Sequence, residues 1–178
     1  MTVSPSAPKT PPLDSKTVIH NLAVVLIPML GFLGAICAAI FWEGRVYPLD
    51  IALLVGMYVV SIGGITVGYH RLFAHRTFQT GPVMRALIAI SGAMAAQGSV
   101  AGWVSHHRRH HFHSDEPGDV HSPHLHGGGL SGALLGFWHS HMGWMISTKW
   151  QAPFPHVGDL TRDPVVSTVD RYYYVWLV

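Results

Sequence analysis

Charge is scarce in this chain and cysteine is almost absent. Of its 178 residues 11% are charged and 49% are hydrophobic. Soluble domains carry about a quarter charged residues, so this balance argues against a compact soluble fold and for a membrane protein. The 11 Lys and Arg against 9 Asp and Glu leave a net charge of +2. They are scattered, without the dense basic face that phosphate backbones require, which argues against nucleic acid as a partner. The single cysteine, Cys37, leaves no intrachain disulfide and lies in an apolar run, where a thiol packs as a small hydrophobe. A cleavable leader is not evident either: the first apolar run is longer than a signal-peptide core and lacks a small-residue cleavage site.

What the chain has in excess is histidine, fourteen in all, concentrated between His70 and His141. Packing alone seldom explains such a density, and metal binding is the obvious alternative. Residues 1–16, rich in Pro, Ser and Thr, read as a disordered tail. The run from about Val18 to Trp42 predicts a membrane-spanning helix, and a second run from Ile51 to Tyr69 pairs with it as a hairpin over about 18–69. Lys9, Lys16, Arg71, Arg76 and Arg85 outweigh Arg45 in the link, so the N-terminus and His70 are expected on the cytoplasmic side. His20, at the edge of the first run, reads as interfacial.

A third stretch, Pro82–Val104, has the length of another span. A single crossing would set "HHRRHH" some 30 Å from His70 and His75 on the far side of the hydrocarbon core. If the histidines form one site, this stretch folds back as a buried or interfacial helix, which its Gly, Ala and Ser content suits. Beyond it, residues 121–144 read as a Gly-rich loop before an aromatic segment, and residues 147–170 as an extended surface connection. "RYYYVWLV" resembles the first turns of a further membrane helix, as if the chain were incomplete.

Spacing narrows the chemistry without fixing it. On an ideal helix His107, His110 and His111 fall within about 60° of one another, and one metal or two adjacent ones could draw on them. His106, His110 and His113 form a competing face. His70 and His75 lie about 140° apart on an ideal helix, so either the helix distorts between them or they serve different ions. Imidazole suits Fe, Zn, Cu and Ni, whereas Ca and Mg prefer oxygen. A plain interfacial or cationic role for either cluster competes with these readings.

"HRLFAH" (His70–His75), then "HRRHH" (His107–His111), "GDVHSPH" and "HMGW" resemble, at matching intervals, the membrane fatty acyl desaturases of the stearoyl-CoA Δ9 type, and bacterial members most. The resemblance implies a di-iron oxidoreductase in which O2 and two electrons from an external donor convert a saturated acyl chain, linked to CoA or to a lipid, into a cis-unsaturated one. The donor would be a ferredoxin, a cytochrome b5 or a reductase. It implies His70, His75, His107, His110 and His111 as metal ligands, His121 and His141 as supporting groups, and Trp103 beside the acyl chain. His106 stands where the family usually has Asp, and Gly98 and Ser105 also replace residues that contact the headgroup region in animal acyl-CoA enzymes. These three changes put CoA in doubt. The family's third box, a further H-x2-H-H, falls downstream of Val178, so the chain is expected to be an N-terminal part, inactive alone.

The expectation is therefore an all-α membrane helical bundle, with a cytosolic histidine-rich cap over about 70–170 and the plasma membrane as its location if bacterial. The alternatives are a related di-iron membrane hydroxylase and a membrane metal-binding or transport protein. Transporters gather such residues near the bilayer midplane, whereas here they follow helix ends.

Overall fold

The structure is a computed structural model that describes residues 15–42, 44–146 and 156–177. The expected tail lies outside them except for Ser15 and Lys16, which already belong to the first helix, and the side chain of His20 is likewise outside. Among the described residues every regular element is helical, with no strand.

Among the described residues two helices are long and apolar enough to cross a membrane. The first, α1, is Ser15–Phe41. The second begins as α2, Pro48–Gly63, with Pro48 at its first turn and the Asp50 carboxylate accepting the Tyr47 N–H at 2.9 Å. It then continues without a break as a π-helix, Gly64–Ala74, to give a 27-residue run, Pro48–Ala74. Their large side chains stand open, Phe32 at 74% and Leu54 at 70% exposure. Apolar surface on this scale is untenable in water and is what lipid would cover.

The stretch that has the length of a third span is divided in two. Helix α3 is Pro82–Met94 and α4 is Val100–His113. Thirteen helical residues cover only ~20 Å, short of a ~30 Å hydrocarbon core. Between them the chain turns through positive φ at Ala96 (58°) and Gly98 (98°), so the fold-back expected from the histidines occurs. Ser99 caps α4 by accepting the Gly102 N–H at 3.2 Å. Asp170 caps it again from outside, its two oxygens accepting Val100 N–H at 2.7 Å and Ala101 N–H at 3.0 Å.

Two connections are more regular than their sequence suggests. Gly129–Trp138 forms α5, followed by a short π-turn, His139–Gly143, and by α6, Trp144–Ile146. The surface connection expected over residues 147–170 lies outside the described residues at 147–155. Its remainder is helical instead of extended: α7 is Gly158–Thr161 and α8 is Pro164–Arg171. The reason is local capping plus burial. Asp163 accepts Val165 N–H at 2.9 Å and Val166 N–H at 3.2 Å, Pro164 opens the helix, and Val166 and Val169 are buried. The stretch read as the first turns of a further membrane helix instead forms one 3-10 turn, Tyr173–Val175, with Tyr173 buried, and it is the last regular element among the described residues.

The core forms where the π-segment, α3, α4, α7 and α8 meet: Tyr69 and Phe73 pack with Ala89, Val104, Leu160 and Val166. Close approach needs glycine. A Cβ on Gly64 would run into the backbone at Ser91 and Gly92, and one on Gly68 into the Ile88 side chain.

Candidate metal centre

The π-segment explains the five-residue spacing that an ideal helix leaves awkward. In a π-turn the N–H bonds back five residues, not four, and His75 N–H donates to His70 C=O at 3.0 Å. Residues i and i+5 are thereby stacked on one face. The Nε2 atoms of His70 and His75 lie 3.1 Å apart.

Helix α4 completes the group from the other side. His107 Nε2 sits 3.0 Å from His75 Nε2 and 3.1 Å from His111 Nε2, and all four ring nitrogens fall within 4.8 Å of one another. These three contacts cannot all be hydrogen bonds between neutral rings, because His75 and His107 each bring one Nε2 proton or one lone pair to two neighbours. Two imidazole nitrogens bound at ~2.0–2.1 Å to one ion would be separated by about 3.0–3.4 Å, close to the distances here. The donor set therefore fits a transition-metal ion, in keeping with the ligand preferences of imidazole.

Protonation is biased the same way. Burial first, and then the neighbouring His111, His70, His75 and His110 rings, pull His107 down to about 3. Desolvation and the His70 and His111 rings also lower His75. Neutral rings with available lone pairs are what a metal requires.

His110 belongs elsewhere. Although it shares a helical face with His107 and His111, its ring turns towards the loop after α4, where it stacks on His121 with centroids 4.5 Å apart. Its Nδ1–H donates to Asp119 Oδ2 at 2.9 Å. His110, Asp119 and His121 form a second group of potential ligands. The structure thus divides the five expected ligands four and one. The competing face is disfavoured: His106 packs on Trp144 with centroids 5.2 Å apart, and the His113 ring lies against Gly118. His141 is exposed and its Nδ1–H donates to Phe137 C=O at 2.8 Å; with His124, His126 and His139 it joins neither group. Trp103 stacks on His107 at 4.8 Å and 19°, and its indole N–H donates to Gln97 Oε1 at 3.2 Å.

Three residues essential to this arrangement were not apparent from the sequence. Arg108 lies inside the second box, yet its role is to fasten. It donates to Phe73 C=O at 2.8 Å, Ala74 C=O at 3.3 Å and His156 C=O at 2.6 Å, and pairs with Asp159 at 2.8 Å and 3.1 Å. The carbonyls just before His75 are thereby tied to the helix that carries His107. Asp159 also pairs with Arg76. Burial alone would raise the Asp159 carboxyl, but Arg108 and Arg76 hold it well below the usual carboxylate range. Asp119, the third, is fully buried at its side chain. The signal available for it was the acidic residue in "GDVHSPH"; nothing local links Asp159 to a residue fifty-one positions earlier.

Known proteins supply the class. No family model matches the chain. It is 44% identical over 161 residues to a hex-5-enoyl-[acyl-carrier protein] acetylenase of Moorena producens, covering 89% of this chain and 50% of that protein. It is 37% identical over 126 residues to an sn-1 stearoyl-lipid 9-desaturase of Anabaena variabilis, covering 69% and 42%. It is 32% identical over 168 residues to a stearoyl-CoA desaturase of Mesocricetus auratus, covering 92% and 44%. With these matches and the histidine boxes, the chain belongs to the membrane fatty acyl desaturases. It spans about half the length, or somewhat less, of these curated relatives.

Proposed function

We propose that the protein containing this chain is an oxygen-dependent fatty acyl desaturase that introduces a cis double bond, at the Δ9 position, into a saturated acyl chain. The observation that carries the proposal is the convergence of His70, His75, His107 and His111 on one point beside the end of a membrane-length helix. The relatives named above act, by their names, on acyl groups carried by acyl-carrier protein, by a lipid and by CoA. What they share is the acyl chain, and the substrate class proposed here is that chain.

Iron, supplied with O2 and two electrons, would provide the oxidising power that no side chain has. Two hydrogens leave adjacent methylenes, and with two electrons and two protons O2 ends as two waters. The residues of this chain hold and orient. His70, His75, His107 and His111 would hold one iron and His110 would contribute to a second. Trp103 fixes the plane of the His107 ring and offers its other apolar surface to the acyl chain. Arg108 keeps the two histidine-bearing helices in register. The electrons would come from a ferredoxin, a cytochrome b5 or a reductase.

Location follows from length. About 20 residues span the hydrocarbon core, and counting from Pro48 this leaves His70 and His75 beyond it. We place that end at the cytoplasmic face of the membrane, the plasma membrane in a bacterium, on the distribution of Lys and Arg. Accessibility labelling of single cysteines near residues 75 and 113 checks it, since labelling from opposite sides would end the one-site reading.

The test is to express the full-length protein in cells lacking other desaturases, supply saturated acyl substrates, and locate any new double bond by mass spectrometry of the derivatised lipids. An iron-dependent cis-Δ9 product is expected. A double bond elsewhere would remove the Δ9 assignment, and a hydroxylated or unchanged chain would remove the desaturase reading.

A further inference from the structure

The loop after α4 holds a buried carboxylate that accepts three hydrogen bonds from within the protein. Asp119 Oδ2 accepts Asp115 N–H at 2.9 Å as well as the His110 Nδ1–H at 2.9 Å, and Oδ1 accepts the His121 N–H at 3.2 Å. The side chain has no solvent exposure. The loop itself is braced: Ser122 O–H donates to Asp115 Oδ1 at 2.6 Å, and Arg109 Nε–H donates to Gly118 C=O at 3.0 Å. An acidic residue near two histidines looks at first like a third ligand. Its oxygens, however, are committed to three donors within the protein, and the ring nitrogen of His110 left without this carboxylate is Nε2.

From this we propose that Asp119 is a positioning residue for the second iron: it fixes His110 as the Nδ1–H tautomer, so that Nε2 carries the lone pair offered to metal. The inference rests on the di-iron reading above and assigns a role within it. A carboxylate behind a ligating imidazole orients the ring and raises its basicity, and losing such a partner typically costs 10–100-fold in metal affinity. The effect should be selective. Asp119 bonds to His110 and to the backbone of Asp115 and His121, while the four-histidine group is organised separately by the π-segment and Arg108.

The experiment is a Co(II) titration of the full-length protein purified from membranes in metal-free form, followed by visible absorption and checked by elemental analysis. The native protein should show two tight steps. Asp119→Asn, which keeps the shape and removes the charge, should weaken one step about 10–100-fold and leave the other unchanged. His110→Ala should remove the same step, and the double variant should be no worse than His110→Ala alone. In the Zn(II)-loaded native protein carrying 15N-histidine, His110 should have a protonated Nδ1 and a coordinated Nε2. Two unchanged steps in Asp119→Asn would overturn the proposal. So would equal weakening of both, since that marks a loop that merely folds the cap, or a Zn-loaded His110 coordinated through Nδ1. A native protein that takes up no metal would remove the di-iron reading itself, an outcome distinct from selective retention in the variant.

Discussion

At the scale of single residues the first cluster depends on His107, which stands between His75 and His111 and is fixed in plane by Trp103. Its replacement by alanine removes the central donor while leaving both helices intact, so metal binding at the four-histidine group and product formation should fall to background with normal membrane insertion. Elemental analysis beside lipid analysis checks this; insertion lost together with metal would mean that His107 is a packing residue. Trp103→Phe should be milder, because a ring still covers His107, whereas Trp103→Ala should loosen it. At this scale the sequence marked candidates and was silent about how they divide. The boxes marked His70, His75, His107, His110 and His111, and a helical wheel put the last three on one face. It could not show that His110 turns to Asp119, because that choice is made by a loop whose course depends on Asp119, Asp115 and Ser122 bonding to one another.

Among the elements, the π-segment is what converts a spacing into a site. An ordinary α-helix would splay His70 and His75, and the i to i+5 bond brings them together at the cost of a wider, looser turn. Tight packing against α3 offsets that cost, and it requires Gly64. Gly64→Ala would press a methyl group into the Ser91–Gly92 backbone, and overpacking of this kind costs about 1–3 kcal/mol. Gly63→Ala, one position earlier, faces open space and supplies the control: by thermal unfolding in detergent, Gly64→Ala should melt earlier and Gly63→Ala should not. Equal midpoints would mean that α3 can retreat freely. The two membrane-length helices were legible from their runs of apolar residues, and the fold-back of Pro82–Val104 from the need to reunite the histidines. The helices α7 and α8 were not, because a segment with Pro, Gly and Asp reads as a connection until Asp163 is seen to cap it and Val166 and Val169 to enter the core.

For the whole molecule, the question is what holds a small cap together above two lipid-facing helices. The apolar core is modest, and polar ties run across it: Arg85 with Asp163, Asp170 at the start of α4, and Asp159 with Arg108 and Arg76. The Asp159 tie joins the C-terminal helices to both histidine-bearing elements, so it couples cap cohesion to the geometry of the site. Its pH dependence has a definite sign. The folded-state pKa is depressed, so the stabilisation is fully present above the unfolded carboxyl value of ~4. It is lost progressively as pH falls below that value and the unfolded chain takes up the proton more readily. Comparison with Asp159→Asn separates this contribution from any other effect of acidification. Measured by thermal unfolding in detergent with no added metal, the native protein should exceed Asp159→Asn in midpoint at pH 6. The gap should begin to narrow as pH falls below ~4 and persist in part at pH 3, because the folded-state carboxyl releases its stabilisation only as pH falls through its own depressed value. Because Arg76 is 61% exposed, added salt should narrow the gap as well. A gap independent of pH would mean that the asparagine acts through shape, and that the cap is held chiefly by its apolar core.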